Sequence, residues 1–161
     1  MKKINWGIVG LGHIANQFAN AFSIVDNAKI KGIASFDKDK LQSFKKRFNI
    51  EDKLCFDNYK DLILSPSIDI IYIALPNSLH AKYISECINQ KKNILVEKPA
   101  FINLKDLSFL KSELQKEKIF FTEAFMYRYL PYFKKVKEII ERNSLGKIVN
   151  INSTFNTKVY K

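Results

Sequence analysis

Apolar residues along this chain fall into two alternating patterns. Apolar-rich runs at Ile4–Val9 and over residues 28–36, 69–75, 93–96 and 119–122 predict strands buried on both faces, with a shorter strand at 54–56. Between them, apolar positions recur at helical spacing: Ile14, Phe18, Ala21, Phe22 and Val25, then Leu41, Phe44 and Phe48. The same spacing returns at Leu79, Tyr83, Ile84, Cys87 and Ile88, and at Leu104, Leu107, Leu110 and Leu114, with a further helix from about Tyr59. Strand and helix in alternation predict an α/β fold, a doubly wound parallel sheet with helices on both faces. The last stretch differs. Tyr132, Phe133, Val136, Ile139 and Ile140 mark another amphipathic helix, and residues 148–155 alternate apolar with polar, which predicts one more strand.

In a doubly wound sheet ligands bind outside the carboxyl ends of the strands. Gly10, Ser35, Pro76, Glu97 and Glu123 all fall at such ends, so one crevice can gather them. The first strand runs into Gly10-Leu11-Gly12-His13-Ile14-Ala15, between a strand and a helix. Gly10 permits the tight turn, Gly12 lets the backbone approach a pyrophosphate, and Ala15 is small enough for close helix–strand packing. Free N–H groups near His13 and Ile14, at the positive end of the helix, suit the phosphates. Further on, Lys98 stands directly after Ile94-Leu95-Val96-Glu97, at the mouth of a buried strand and on the same side as the glycine turn. A lysine so placed is a proton donor within reach of a dinucleotide, which points to hydride chemistry.

The tip of the second strand bears on which dinucleotide is bound. If Asp37 is the tip, its carboxylate accepts from the adenosine ribose and favours NAD. If Ser35 is the tip, no carboxylate repels a 2′-phosphate, and Lys38 or Lys40 can pair with one. Asp37 precedes the helical pattern at Leu41 and therefore reads as an N-cap, which leans the reading toward NADP. Phe36 can stack on the adenine or pack against the protein.

Composition narrows the alternatives. The chain has 161 residues, 47% hydrophobic content and a formal net charge of +11. Its lysines lie mostly on the polar sides of predicted helices, so solvated faces account for the charge, and nucleic acid is not an expected partner. No apolar run is long enough to span a membrane. The start of the chain enters a strand without a signal-peptide core, and Cys55 and Cys87, the two cysteines, read as reduced packing thiols. A cytoplasmic protein is the simplest expectation. Two histidines and two cysteines set apart make no metal site.

Three motifs together resemble a known family. Gly10-Leu11-Gly12-His13-Ile14-Ala15, Ala74-Leu75-Pro76-Asn77-Ser78-Leu79-His80 and Glu97-Lys98-Pro99 are similar, in order and separation, to the signatures of the glucose–fructose oxidoreductase / inositol dehydrogenase / MocA family. Glu123-Ala124-Phe125-Met126-Tyr127-Arg128, with Pro131 after it, resembles the segment leaving the cofactor domain in the dihydrodiol-dehydrogenase-like subgroup.

The resemblance implies an NAD(P)-dependent dehydrogenase or reductase acting on a sugar, polyol or related alcohol or carbonyl. Lys98 would be the catalytic or substrate-orienting lysine, and Glu97 would orient it or touch the cofactor. Pro99 would hold the turn with a cis bond. Leu75, Pro76 and Asn77 would line the nicotinamide–ribose side, His80 would start the next helix or touch the cofactor, and Arg128 would approach the nicotinamide or substrate. Gly10, Gly12, His13, Ile14, Ser35 and Phe36 complete the expected cofactor set. Residues 1–122 would form the dinucleotide domain. Residues 123–161 would form a connecting helix and the first strand of an α+β substrate domain whose remainder the chain lacks, and the full-length protein would be a homo-oligomer. A dinucleotide-binding sensor without chemistry is the alternative reading.

Overall fold

In a computed structural model of the chain, residues 3–154 and 156 are described. Six strands form one parallel sheet: β1 (Ile4–Val9), β2 (Ala28–Ala34), β3 (Cys55–Phe56), β4 (Ile70–Ile73), β5 (Asn93–Val96) and β6 (Phe121–Glu123), in the order β3-β2-β1-β4-β5-β6. The helices are α1 (His13–Asn20), α2 (Lys38–Phe48), α3 (Tyr59–Leu64), α4 (His80–Asn89), α5 (Leu104–Lys116) and α6 (Pro131–Glu141). Strand order reverses between β1 and β4, the switch point at which open α/β sheets take their ligands.

Alternating side chains of the strands feed two cores. Ile8, Ile33 and Tyr72 point to the face covered by α1 and α2, where Ala15, Ala19, Leu41 and Phe44 pack. Val9, Ala34, Ile71, Ile73, Ile94 and Val96 point to the other face, against Leu62, Ile84, Cys87, Leu110 and Leu114 of α3, α4 and α5. The period-two alternation of a strand thus divides a continuous apolar run between both layers. All four residues of β4 are buried, as the apolar run predicts.

Local signals set several boundaries. Asp37, Asn58 and Asn103 cap α2, α3 and α5, each side chain accepting from an N–H three residues on. Asp37 therefore is the N-cap the pattern predicts. The first helix is shorter than its apolar spacing suggests: it ends at Asn20, tightens into a 3-10 turn at Ala21–Ile24, and leaves Val25 extended and exposed. Phe22 of that turn packs edge-on to Trp6 and Phe18, centroids 5.8 and 5.3 Å away, so the apolar pattern records an aromatic cluster beyond the helix proper.

The chain divides into two compact units, up to Ala124 and from Phe125 onward. β6 ends at Glu123, one residue before that division. The second unit holds a 3-10 turn at Met126–Tyr129 and α6, opened by Pro131 in its first turn. The strand expected over residues 148–155 is not formed among the described residues: 147–154 have no regular structure, and Phe155 lies outside them. A single strand has no partner for its N–H and C=O groups, and alternation alone does not supply one. No described helix is long and apolar enough to cross a membrane, and no described cluster of His, Cys, Asp and Glu could hold a metal ion.

Candidate cofactor site

The carboxyl end of β1 is built around two glycines with different duties. Gly10 takes φ +86°, and its N–H donates to the Ala34 carbonyl at 3.1 Å. A Cβ there would lie 2.6 Å from the Ala74 carbonyl oxygen and 2.7 Å from Leu75 Cδ2, so this turn closes against the β4 loop only with glycine. Gly12 is the N-cap of α1, exposed and extended, and a Cβ there would meet nothing within 4 Å. No side chain caps this helix. The N–H groups of its first turn, from exposed His13 and half-buried Ile14 onward, therefore face an open approach. A pyrophosphate needs that combination of free donors, positive helix end and missing side chain.

At the end of β2, Ser35 is buried, and its hydroxyl oxygen accepts from the Asp37 N–H at 3.1 Å. Asp37 caps α2 through the Lys40 N–H and pairs with the Lys40 ammonium at 3.1 Å. Hydrogen bonds from Lys40 hold its carboxyl below the usual range. Lys38 has no ion-pair partner among the described residues, and Phe36 is exposed with one side against Tyr59, centroids 4.5 Å apart.

Lys98 is exposed, and its ammonium has no hydrogen-bond or ion-pair partner among the described residues. The loop that carries it is held on several sides. Glu97 N–H donates to Ile73 C=O at 3.0 Å, and Ala124 N–H to Val96 C=O at 2.8 Å. The Tyr72 hydroxyl donates to Glu97 Oε1 at 2.6 Å, and Glu97 Oε2 lies 3.3 Å from the Lys98 N–H. From β6, Glu123 Oε1 accepts from the Ala100 N–H at 2.8 Å. The Lys98–Pro99 bond is cis, as the resemblance implies.

His80 is fully buried at the start of α4. Its Nδ1 lies 2.9 Å from the Pro99 carbonyl oxygen and its Nε2 2.8 Å from that of Leu75. Its ring is thus engaged within the protein, while the neighbouring Pro76 and Asn77 are exposed and Leu75 is buried. Arg128 lies in the second unit, exposed, on the single turn that precedes α6.

The glycine turn, the β2 tip, Pro76, Asn77, Glu97 and Lys98 all fall at the carboxyl ends of strands of one sheet. The sequence reading passed over Tyr72. Its side chain reaches a carboxylate 25 positions away in the chain, a pairing set by the β4–β5 register, in which Tyr72 lies opposite Leu95.

Burial, reinforced by the Glu97 carboxylate that accepts its hydrogen bond, pushes the Tyr72 phenol far above its ordinary range. The folded state thus holds this proton where the unfolded chain releases it near pH ~10. The contribution is whole below that pH and is lost as pH rises past it, so stability falls on the alkaline side. In an alkaline absorbance titration, wild type and Tyr72→Phe are expected to give equal phenolate signals until they unfold. A phenolate lost with Tyr72→Phe in the folded protein refutes this.

A sequence model described as the oxidoreductase family, NAD-binding Rossmann fold, matches residues 4–125. The chain is 29% identical over 158 residues to the trans-1,2-dihydrobenzene-1,2-diol dehydrogenase of Xenopus tropicalis, covering 97% of this chain and 47% of that protein. It is 33% identical over 155 residues to the glucose-6-phosphate 3-dehydrogenase of Bacillus subtilis, covering 96% and 42%. Its fold superposes on scyllo-inositol dehydrogenase from Lactobacillus casei, solved with bound NAD(H) and scyllo-inositol, with a TM-score of 0.83 at 24% identity, over 90% of this chain and 43% of that one. The chain spans about half the length of the curated relatives it matches. A glycine turn that leaves α1 uncapped, a strand order that reverses beside it and a matched family model over the whole sheet lead to one assignment: the chain belongs to the Gfo/Idh/MocA oxidoreductase family with an NAD-binding Rossmann fold.

Proposed function

We propose that the chain is the cofactor-binding portion of an NAD(P)-dependent oxidoreductase acting on an alcohol or carbonyl of a sugar- or polyol-like substrate. The observation that carries this reading is Lys98: an exposed ammonium without a partner among the described residues, on a loop fixed from β4 and β6, at the strand ends that also bear the glycine turn. A nicotinamide supplies the hydride acceptor or donor when bound. Lys98 would then hold or deliver the proton on the substrate oxygen whose carbon changes oxidation state. Glu97, committed to Tyr72, orients the loop, and Pro76 and Asn77 line the neighbouring strand end. Residues from 123 onward would connect to a substrate-binding domain.

The cofactor reading favours NADP. The carboxylate at the β2 tip is spent on capping α2 and on pairing with Lys40, and Lys38 remains to meet a 2′-phosphate. Free thiols at Cys55 and Cys87 suit a reducing compartment, in keeping with a cytoplasmic protein.

Calorimetric titration with NADH and NADPH at two salt concentrations tests this. Saturable binding is expected, tighter for NADPH, with the preference narrowing at high salt as the lysine contribution is screened. Tighter binding of NADH overturns the NADP assignment, and absence of binding by either in the folded chain overturns the cofactor reading.

A further inference from the structure

Resting on that reading, we infer that His80 is a positioning residue that locks the nicotinamide half of the site. It does so by tying together the loops after β4 and β5. No other side chain among the described hydrogen bonds spans both loops. One ring nitrogen meets the Leu75 carbonyl, directly before Pro76 and Asn77, and the other meets the Pro99 carbonyl, directly after Lys98. The ring is fully buried, so water does not compete for either contact. A neutral imidazole donates to one of the two carbonyls and an imidazolium to both. Either form holds at least one loop by a donated hydrogen bond, and the buried ring fills the space between the two segments.

The sheet topology says which part of a dinucleotide should notice. A doubly wound sheet takes one nucleotide on each side of its switch point. Here β1, β2 and β3 form one half and β4, β5 and β6 the other. The glycine turn and the Asp37–Lys40 tip belong to the first half, and His80 acts wholly within the second. Loosening its two loops should therefore leave the adenosine and phosphate contacts in place and displace Asn77 and Lys98 from the nicotinamide nucleoside. A role confined to general stability makes no such distinction.

The test compares wild type, His80→Ala and His80→Gln for binding of NADPH against 2′-phospho-ADP, and of NADH against ADP. The second probe of each pair keeps the adenosine and both bridging phosphates and lacks the nicotinamide nucleoside. Losing one or both buried contacts is expected to weaken the complete cofactor on the order of tenfold in His80→Ala, with the truncated probe changed by less than about twofold. His80→Gln, whose amide still reaches one carbonyl, is expected to fall between. Circular dichroism confirms that each variant is folded, and His80→Gln carries the comparison if His80→Ala is not. On wild type alone, a His80 ring N–H protected from solvent exchange is expected in the proton spectrum. Parallel losses for complete and truncated probes, unchanged binding of both, or a freely exchanging ring overturns the inference. If wild type binds the truncated probes and the variants show no differential loss, the inference fails alone. If wild type binds no probe, the cofactor reading fails and takes the inference with it.

Discussion

Replacing Gly10 with alanine is expected to destabilise the folded chain by roughly 4 kcal/mol, and to lower its thermal midpoint by roughly 8–16 °C. Two costs combine. The backbone holds φ +86°, a region that an L side chain enters at a penalty of roughly 1–2 kcal/mol. The new methyl would also sit 2.6 Å from the Ala74 carbonyl oxygen, and a backbone atom cannot swing aside as a flexible side chain can. Relief requires β1 to part from the start of the β4 loop, where the Ala74 N–H donates to the Val9 carbonyl at 2.9 Å. Because β1 and β4 flank the switch point, the damage falls on the centre of the sheet. A thermal melt followed by circular dichroism measures it, and a midpoint within a few degrees of wild type refutes the account.

Gly12→Val is expected to do the opposite: leave the fold intact and sharply weaken cofactor binding. The residue adopts φ −80° and ψ −170°, extended backbone that valine accepts readily, and its Cβ would enter open space. That space is the approach to the uncapped first turn of α1. Branched carbons there keep a pyrophosphate from the N–H groups. Forfeiting two charge-assisted hydrogen bonds of roughly 1.5 kcal/mol each weakens binding about 100-fold. Calorimetry with NADPH reads the affinity, and an unshifted melt shows that the fold is untouched. Retained affinity would place the phosphates elsewhere. The pair of substitutions separates a glycine needed by the chain from a glycine needed by its ligand.

The features legible in the sequence are those that neighbouring residues decide. Apolar-rich runs became strands, the central ones covered on both faces, and Asp37 became a cap because a carboxylate three residues before an N–H closes a local ring. The glycine turn was readable for the same reason, being flanked by a strand and a helix. What escaped was set by register and distance. Tyr72 looked like one more buried residue of β4, yet its hydroxyl anchors Glu97, because parallel pairing brings the ends of β4 and β5 side by side. His80 read as a helix start or a cofactor contact, and only the folded chain shows both its nitrogens taken by carbonyls of two loops. A strand is a relation between two segments and a pattern describes one, so the alternation over residues 148–155 names no partner, and none is found among the described residues.

The strand order also has a consequence for how the chain is made. β1 is synthesised first and ends at the centre of the sheet, between β2 and β4. β2 follows soon, but β4 emerges only after α2, β3 and α3 have been added. At roughly 5–20 residues per second, a nascent chain holding a β1–β2 pair waits several seconds with the β4-side edge of β1 open. A ribosome-associated chaperone that binds extended apolar peptide would find its best target in that interval, and release from it should coincide with the appearance of Ile70–Ile73 outside the exit tunnel.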